Sequence, residues 1–303
     1  MPSSCSSTRS GRTSARTSSA PRSTITPAAG AASAGGSPLS PLTSRILVAV
    51  VGLPVVLALV YAGGWWLFAL AAVVAVLALH EYALMTRALR PVTLAAYAGA
   101  LLSLLGAELG GLDWTLAGFL STIALAFILH WVGQTRQSAT VAIAATVLGA
   151  AWIGLCLAHL LLLRDNSGHG RLATFAVLLA VWAGDIGAFF AGRMIGRHKL
   201  APALSPGKTW EGFLFGTIAT VFVMFVTLYK QDFVSIADSI FLGLVVAVAG
   251  PLGDLFESGI KRDMQVKDSG RLLAGHGGVL DRLDAPLFAF VAAFYFLRAL
   301  GKA

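Results

Sequence analysis

The chain alternates long apolar runs with short polar breaks. From Ile46 onward the runs recur at about 20 residues, the length an α-helix needs to cross the hydrocarbon of a bilayer. They predict spans near 46–62, 65–83, 92–110, 114–133, 140–163, 172–190, 212–230, 236–256 and 285–300. The break Ala62-Gly63-Gly64 permits only a tight hairpin between the first two, and Glu108 lies within the third. The pattern therefore predicts an all-α integral membrane protein, a polytopic bundle of about nine transmembrane helices joined by polar loops.

Residues 1–44 break the pattern. They are mostly Ser, Thr, Pro, Ala, Gly and Arg, with no acidic residue. Such a segment cannot offset its ordering entropy by burial, so a disordered tail is expected, a cytoplasmic arm that brings Arg9, Arg12, Arg16, Arg22 and the adjoining Arg45 near anionic membrane lipid. The rest divides into an N-terminal transmembrane region, 45–165, and a C-terminal transmembrane region, 166–303, where the chemistry concentrates.

Composition agrees with the pattern. Of 303 residues 57% are hydrophobic and only 12% charged, against about 25% charged in soluble domains. The formal charge of +8 is scattered between apolar runs with no aromatic platforms, which argues against nucleic acid and for lipid head groups and nucleotide phosphates. Two cysteines, Cys5 and Cys156, give no disulfide framework. Across alternating spans, the tail, Arg87 with Arg90, Arg136, the stretch from Arg193 to Lys208 and the stretch from Lys261 to Arg282 fall on one side. The positive-inside tendency makes that side cytoplasmic. The loop with Arg164 and Arg171 dissents. Glu108, His130 and His159 lie inside spans without partners at helical spacing, and interfacial or packing roles are expected for them.

Two stretches depart from hydrocarbon. Residues 251–284 hold six of the 14 acidic residues, Asp254, Glu257, Asp263, Asp268, Asp281 and Asp284, among Lys261, Arg262, Lys267, Arg271 and Arg282. If Pro251 opens a helical turn, then Asp254, Glu257, Ser258 and Lys261 recur at i, i+3, i+4 and i+7 and share one face. Asp281 and Asp284 would project together on a continuing helix, and Gly275-His276-Gly277-Gly278 between the pairs permits close approach of a phosphate. Hard oxygen ligands beside Lys and Arg suit Mg²⁺ carrying a polyphosphate.

The second stretch runs from Trp182 through Asp185, Gly192 and Arg193 to Ser205-Pro206-Gly207-Lys208-Thr209-Trp210-Glu211-Gly212. Gly207-Lys208-Thr209 imitates the end of a Walker A loop, but position 202 is Pro where that loop needs Gly, and no buried strand precedes it. What remains is a loop in which Ser205, Lys208 and Thr209 can donate to phosphate oxygens while Glu211 pairs or binds metal. Asp185 has two open readings, an ion pair with Arg193 or Lys199 and a functional role.

Ser258-Gly-Ile-Lys261-Arg262, Lys267-Asp268 and Gly275-His276-Gly277-Gly278-Val-Leu-Asp281-Arg282-Leu-Asp284 resemble the signature of phosphatidate cytidylyltransferases, also called CDP-diacylglycerol synthases. The second stretch resembles the same family, which carries Asp-x-x-Ala-(Tyr/Phe)-Phe-x-Gly-Arg and Ser-Pro-Lys-Lys-Thr-x-Glu-Gly at the corresponding place. The chain departs from the pattern at Gly207, where the family has Lys, at Gln265, where it usually has Gly, and at Ala274, where it usually has Pro. The resemblance implies an enzyme that converts CTP and phosphatidate to CDP-diacylglycerol and pyrophosphate, with its site facing the cytoplasm from a bacterial cytoplasmic membrane. It implies catalytic roles for Asp254, Asp281, Lys261, Arg262 and Asp284. Substrate contacts would come from Ser205, Lys208, Thr209, Ser258, Lys267, His276, Gly277, Gly278 and Arg282. One or two Mg²⁺ ions would be held by Asp254 and Asp281 with Glu257 and Asp284. A homodimer is among the expectations, with the oligomeric state left open. Two other readings fit less well. A CDP-alcohol phosphotransferase needs an Asp-Gly-x-x-Ala-Arg motif, which is absent, and an ion-coupled transporter should place its charges at mid-membrane, whereas these cluster on loops at one face.

Overall fold

The computed structural model describes residues 50, 52–133, 138–166, 168–270 and 277–302. The expected tail, Arg136 and His276 lie outside the described residues. Eight helical elements follow one another: α1 (Leu53–Ala62), α2 (Gly64–Met85), α3 (Thr93–Val132), α4 (Ala139–Arg164), α5 (Gly170–Ile195), α6 (Trp210–Leu228), α7 (Ile236–Asp263) and α8 (Asp284–Ala299). A two-stranded hairpin, β1 (Lys199–Ala201) and β2 (Ser205–Thr209), joins α5 to α6. The protein is an all-α integral membrane protein.

Among the described residues six helices, α2 to α7, are long and apolar enough to cross a membrane, so the structure has fewer full-length spans than the expected nine. The difference has identifiable causes. Helix α3 is 40 residues long and changes direction at Gly111, whose φ of 71° and ψ of −154° lie outside the helical region. Its two arms, corresponding to the expected 92–110 and 114–133 spans, pack on each other where Gly99 meets Thr122, Gly106 meets the Trp114 backbone and Gly118 meets the Leu102 backbone. A Cβ at any of these glycines would collide, so close arm-to-arm contact depends on their lacking one. Among the described residues α1 and α8 have 10 and 16 residues, against the roughly 20 that a full span requires; the first part of the expected 46–62 span lies largely outside the described residues.

Small residues also set the α5–α6 contact. Gly184 lies against Thr220, Gly187 against Ala219 and Gly216 against the Gly184 carbonyl. Helix α7 packs on α6 and α8, and the ring sequence Tyr82, Trp152, Phe256 ties α2 and α4 to α7 with centroids 6.2 and 5.1 Å apart.

The elements alternate in direction, and their two ends differ in kind. At one end the Arg164 guanidinium donates to the carbonyls of Val60 (2.9 Å) and Tyr61 (2.7 Å), Arg171 lies 4.3 Å over the Tyr61 ring, and His169 stacks on Phe233. Of the two dissenting arginines, Arg164 therefore caps α1, whose last carbonyls have no partner within the helix, and Arg171 packs over the Tyr61 ring. His159 also serves packing: its Nδ1 lies 2.8 Å from the Leu155 carbonyl and its ring against Phe294 and Tyr295. The other end carries the hairpin, the C-terminal turns of α7 and the N-terminus of α8, where both polar stretches meet.

Candidate functional site

Helix α7 supplies the first wall. Pro251 does not open it; it lies inside a helix that runs from Ile236 to Asp263. The capping box at Ser235 and Asp238 starts the helix four turns earlier; an interior proline lacks the N–H of the helical ladder, a loss that packed membrane helices tolerate because neighbouring groups satisfy the freed carbonyl. The expected shared face is present. Ser258 Oγ donates to Asp254 Oδ1 at 3.4 Å, and Lys261 Nζ lies 3.2 Å from Glu257 Oε2, an ion pair not aligned as a hydrogen bond. Glu257 is fully buried.

The hairpin supplies the second wall. Lys199 pairs with Thr209 and Ala201 with Ser205, antiparallel, which carries Lys208 across to α7. Its ammonium lies 2.8 Å from Asp254 Oδ2 and donates to the Pro251 carbonyl at 3.3 Å. Thr209 Oγ1 accepts the Gly212 N–H at 3.1 Å and so caps α6, as a threonine preceding a helix is suited to do. Glu211 pairs with His198 Nδ1 at 2.6 Å and does not line the cleft. Arg262 Nε donates to the Leu204 carbonyl at 3.3 Å, tying the end of α7 to the hairpin turn.

The third wall is the segment before α8. Asp281 sits in the 3₁₀ turn Leu280–Arg282, and Leu283 separates it from Asp284, the first residue of α8. The expected continuing helix is thus interrupted. Asp281 accepts from Lys261 Nζ (2.9 Å), the Gly278 N–H (2.9 Å) and the Ser269 N–H (3.3 Å). Burial pushes its carboxyl up, but the Lys261 ammonium and the Gly278 N–H outweigh burial and hold it below the usual carboxylate range. Gly277, at φ 84°, adopts a left-handed conformation that strains any other residue, and a Cβ there would sit tightly, 3.0 Å from Asp281 Oδ2.

These walls enclose a cleft of about 550 Å³ whose polar lining is Asp185, Arg193, Ser205, Lys208, Thr209, Asp254, Asp281 and Asp284. Phe189, Leu200, Phe213 and Pro251 line it as well. Two stretches separated in sequence, 182–212 and 251–284, therefore form one site. Among the described residues, Glu257, Ser258, Lys261, Arg262, Lys267, Gly278 and Arg282 do not line the cleft. Lys261 and Gly278 act on it through Asp281, Ser258 contacts Asp254, and Lys267 and Arg282 are exposed. Asp185 forms no ion pair with Arg193 or Lys199 among the described residues; it and Arg193 both face the cleft.

The donor set suits a hard cation in kind. Four aspartates line the cleft against Lys208 and Arg193, an excess of carboxylate oxygen of the sort Mg²⁺ prefers. As the structure stands, Lys208 occupies Asp254 and Lys261 occupies Asp281, and no three His, Cys, Asp or Glu side chains among the described residues are gathered as a ready-made shell.

Two positions escaped the sequence reading. Arg193 ends the motif that begins at Asp185 and is read from the sequence as a partner for it and as part of a basic stretch, with no substrate role assigned. Glu81 on α2, buried and hydrogen-bonded to Leu280, is a carboxylate within an apolar run, the signal that marked Glu108. At Gln265, where the resembled family usually carries Gly, the backbone has φ 56° just past the end of α7. That is the left-handed position at which helices commonly end in glycine.

The cytidylyltransferase family model matches residues 43–300, so the chain belongs to the cytidylyltransferase family. Within it, the chain is similar to the phosphatidate cytidylyltransferase of Staphylococcus haemolyticus, 36% identical over 253 residues that cover 80% of this chain and 94% of that protein. The Staphylococcus aureus enzyme of the same name is 36% identical over 251 residues, with 80% and 94% covered. That of Bacillus subtilis is 42% identical over 155 residues, 50% of this chain and 57% of that protein.

Proposed function

We propose that the protein is a phosphatidate cytidylyltransferase, joining CTP to phosphatidate to give CDP-diacylglycerol and pyrophosphate at the cytoplasmic face of a cell membrane. The observation that carries this reading is the single cleft in which the Lys208 hairpin meets Asp254, Asp281 and Asp284, at the polar end of membrane-length helices. A lipid phosphate oxygen attacks the α-phosphorus of CTP in line, the bond to the β-phosphate oxygen breaks, and pyrophosphate leaves with that electron pair. The attacking phosphate is already an anion, so no strong general base is needed; the difficulty is bringing two anions together.

Lys208 and Arg193, both lining the cleft, bind and orient the phosphates, and Ser205 can donate to them. Lys261 holds Asp281 from behind. Asp254, Asp281 and Asp284, with Glu257 behind them, would hold Mg²⁺, which when bound supplies positive charge against the phosphate repulsion. Purified protein in detergent, given labelled CTP, phosphatidate and Mg²⁺, should yield labelled lipid and pyrophosphate. No labelled lipid from folded protein would refute the reading. Neither the phosphotransferase nor the transporter alternative gains an observation from the structure.

A further inference from the structure

Outside the cleft, Glu81 is the carboxylate whose placement most needs a reason. It lies near the C-terminal end of α2 and is 1% exposed. A buried carboxylate is costly unless its oxygens are partnered. Its partners among the described residues come from the far end of the chain: Oε2 accepts the Leu280 N–H at 2.9 Å, 199 residues on, and the Ser269 hydroxyl at 3.4 Å, 188 residues on. Gly270 and Gly278 press against the same carboxylate so closely that a Cβ at either would collide with it. Glu81 thus pins both flanks of the segment that precedes Asp281.

The pinned flanks are also what grips Asp281. Ser269 and Gly278 donate their backbone N–H groups to its carboxylate at 3.3 and 2.9 Å. A side chain present only to fill space would need Glu81's volume but not its oxygen, whereas here the oxygen is aimed at the Leu280 amide. We propose that Glu81 is a positioning residue that fixes residues 269–270 and 278–280 and through them holds Asp281 in the cleft. The inference rests on the function proposed above, in which Asp281 serves the transfer.

Two full-length variants test it, each purified in detergent. Glu81→Leu keeps volume but removes the acceptor, and Glu81→Gln keeps an acceptor oxygen. Glu81→Leu removes the acceptor of two bonds, of which the 3.4 Å one is long; loss of a single hydrogen bond to a charged group already corresponds to a roughly ten- to hundredfold effect, so the variant should lose kcat on at least that scale with KM for CTP little changed. Its unfolding midpoint should fall modestly, since the buried Leu280 N–H loses its acceptor, so the split between kcat and KM and the local cleavage pattern carry the test. Trypsin should cut it faster at Lys267 than the unaltered protein, with other sites unaffected, and Glu81→Gln should recover most of the rate. Normal turnover in Glu81→Leu, unchanged cleavage at Lys267, or an equal loss in both variants with general protease sensitivity would each overturn the positioning role. Asp281→Asn is assayed in parallel: full turnover there would sink the site assignment itself, and this inference with it.

Discussion

Lys208 offers a quantitative check on the cleft. Lys208→Ala removes the 2.8 Å ion pair to Asp254 and the contact with the Pro251 carbonyl. Hydrogen bonds to charged groups contribute about 1.5–3 kcal/mol. The Asp254 side chain is 39% exposed, so solvent screening places the effect at the lower end, about 1.5–2 kcal/mol, or roughly ten- to thirtyfold. It should appear as a raised apparent KM for CTP or phosphatidate in steady-state incorporation of labelled CTP into lipid. Lys199 lies on β1, exposed and outside the cleft lining, so Lys199→Ala should stay within about twofold. Gly207 makes a rescue feasible. A Cβ added there meets nothing within 4 Å, and Gly207 lines the cleft, so Gly207→Lys restores the paired lysines of the resembled family without a clash. The double variant Gly207→Lys with Lys208→Ala should regain part of the lost affinity. Equal, small effects from both alanine substitutions would show that this hairpin holds no phosphate.

Asp281→Asn should abolish turnover and also lower the unfolding midpoint, because Lys261 loses the carboxylate it pairs with at 2.9 Å, while the protein stays folded; near-normal activity would remove Asp281 from the site. Gln265→Gly should raise the midpoint, since the left-handed backbone costs a non-glycine residue about 1–2 kcal/mol and glycine's extra unfolded freedom returns only about 0.5–1 kcal/mol; a lowered midpoint would contradict the φ of 56°. Single cysteines at Ala203 and Asp268, both exposed, in a background lacking Cys5 and Cys156, should react with an impermeant thiol reagent only when the cytoplasmic face is opened. Labelling of either from outside intact cells would invert the orientation.

What the sequence disclosed follows the range of the interactions involved. The face of Asp254, Glu257, Ser258 and Lys261 was legible because i, i+3, i+4 and i+7 spacing is a local property of a helix. The meeting of the Lys208 hairpin with α7 was not, since nothing local states that a lysine will find an aspartate 46 positions on. The dissenting Arg164 and Arg171 counted as a charge anomaly until Val60 and Tyr61 appeared beneath them. Asp281 and Asp284 looked alike by spacing, yet a 3₁₀ turn gives only the first the Lys261 and Gly278 contacts. Glu81 shows the limit: its partners lie 188 and 199 residues away, across the division expected near residue 165, so no window of sequence could pair them.

The lining of the cleft bears on the proposed substrates taken together. Phosphatidate leaves the bilayer at a cost of about 0.8 kcal/mol per CH₂ exposed, whereas CTP is held in water by its charge. A site serving both must offer carboxylates and cations at a water-facing end and apolar surface directly below. The cleft does so on α7 and at the start of α8, where Asp254 and Asp284 stand nearer the polar end than Pro251 and Ala285; on α5, Arg193 lies nearest that end, with Phe189 and Ala188 below it and Asp185 deeper still. A lipid phosphate can therefore reach Lys208 while its glycerol and upper acyl carbons remain against hydrocarbon. A purely aqueous nucleotide site would gain nothing from that apolar wall, and a purely lipid site would not bear the cost of four aspartates.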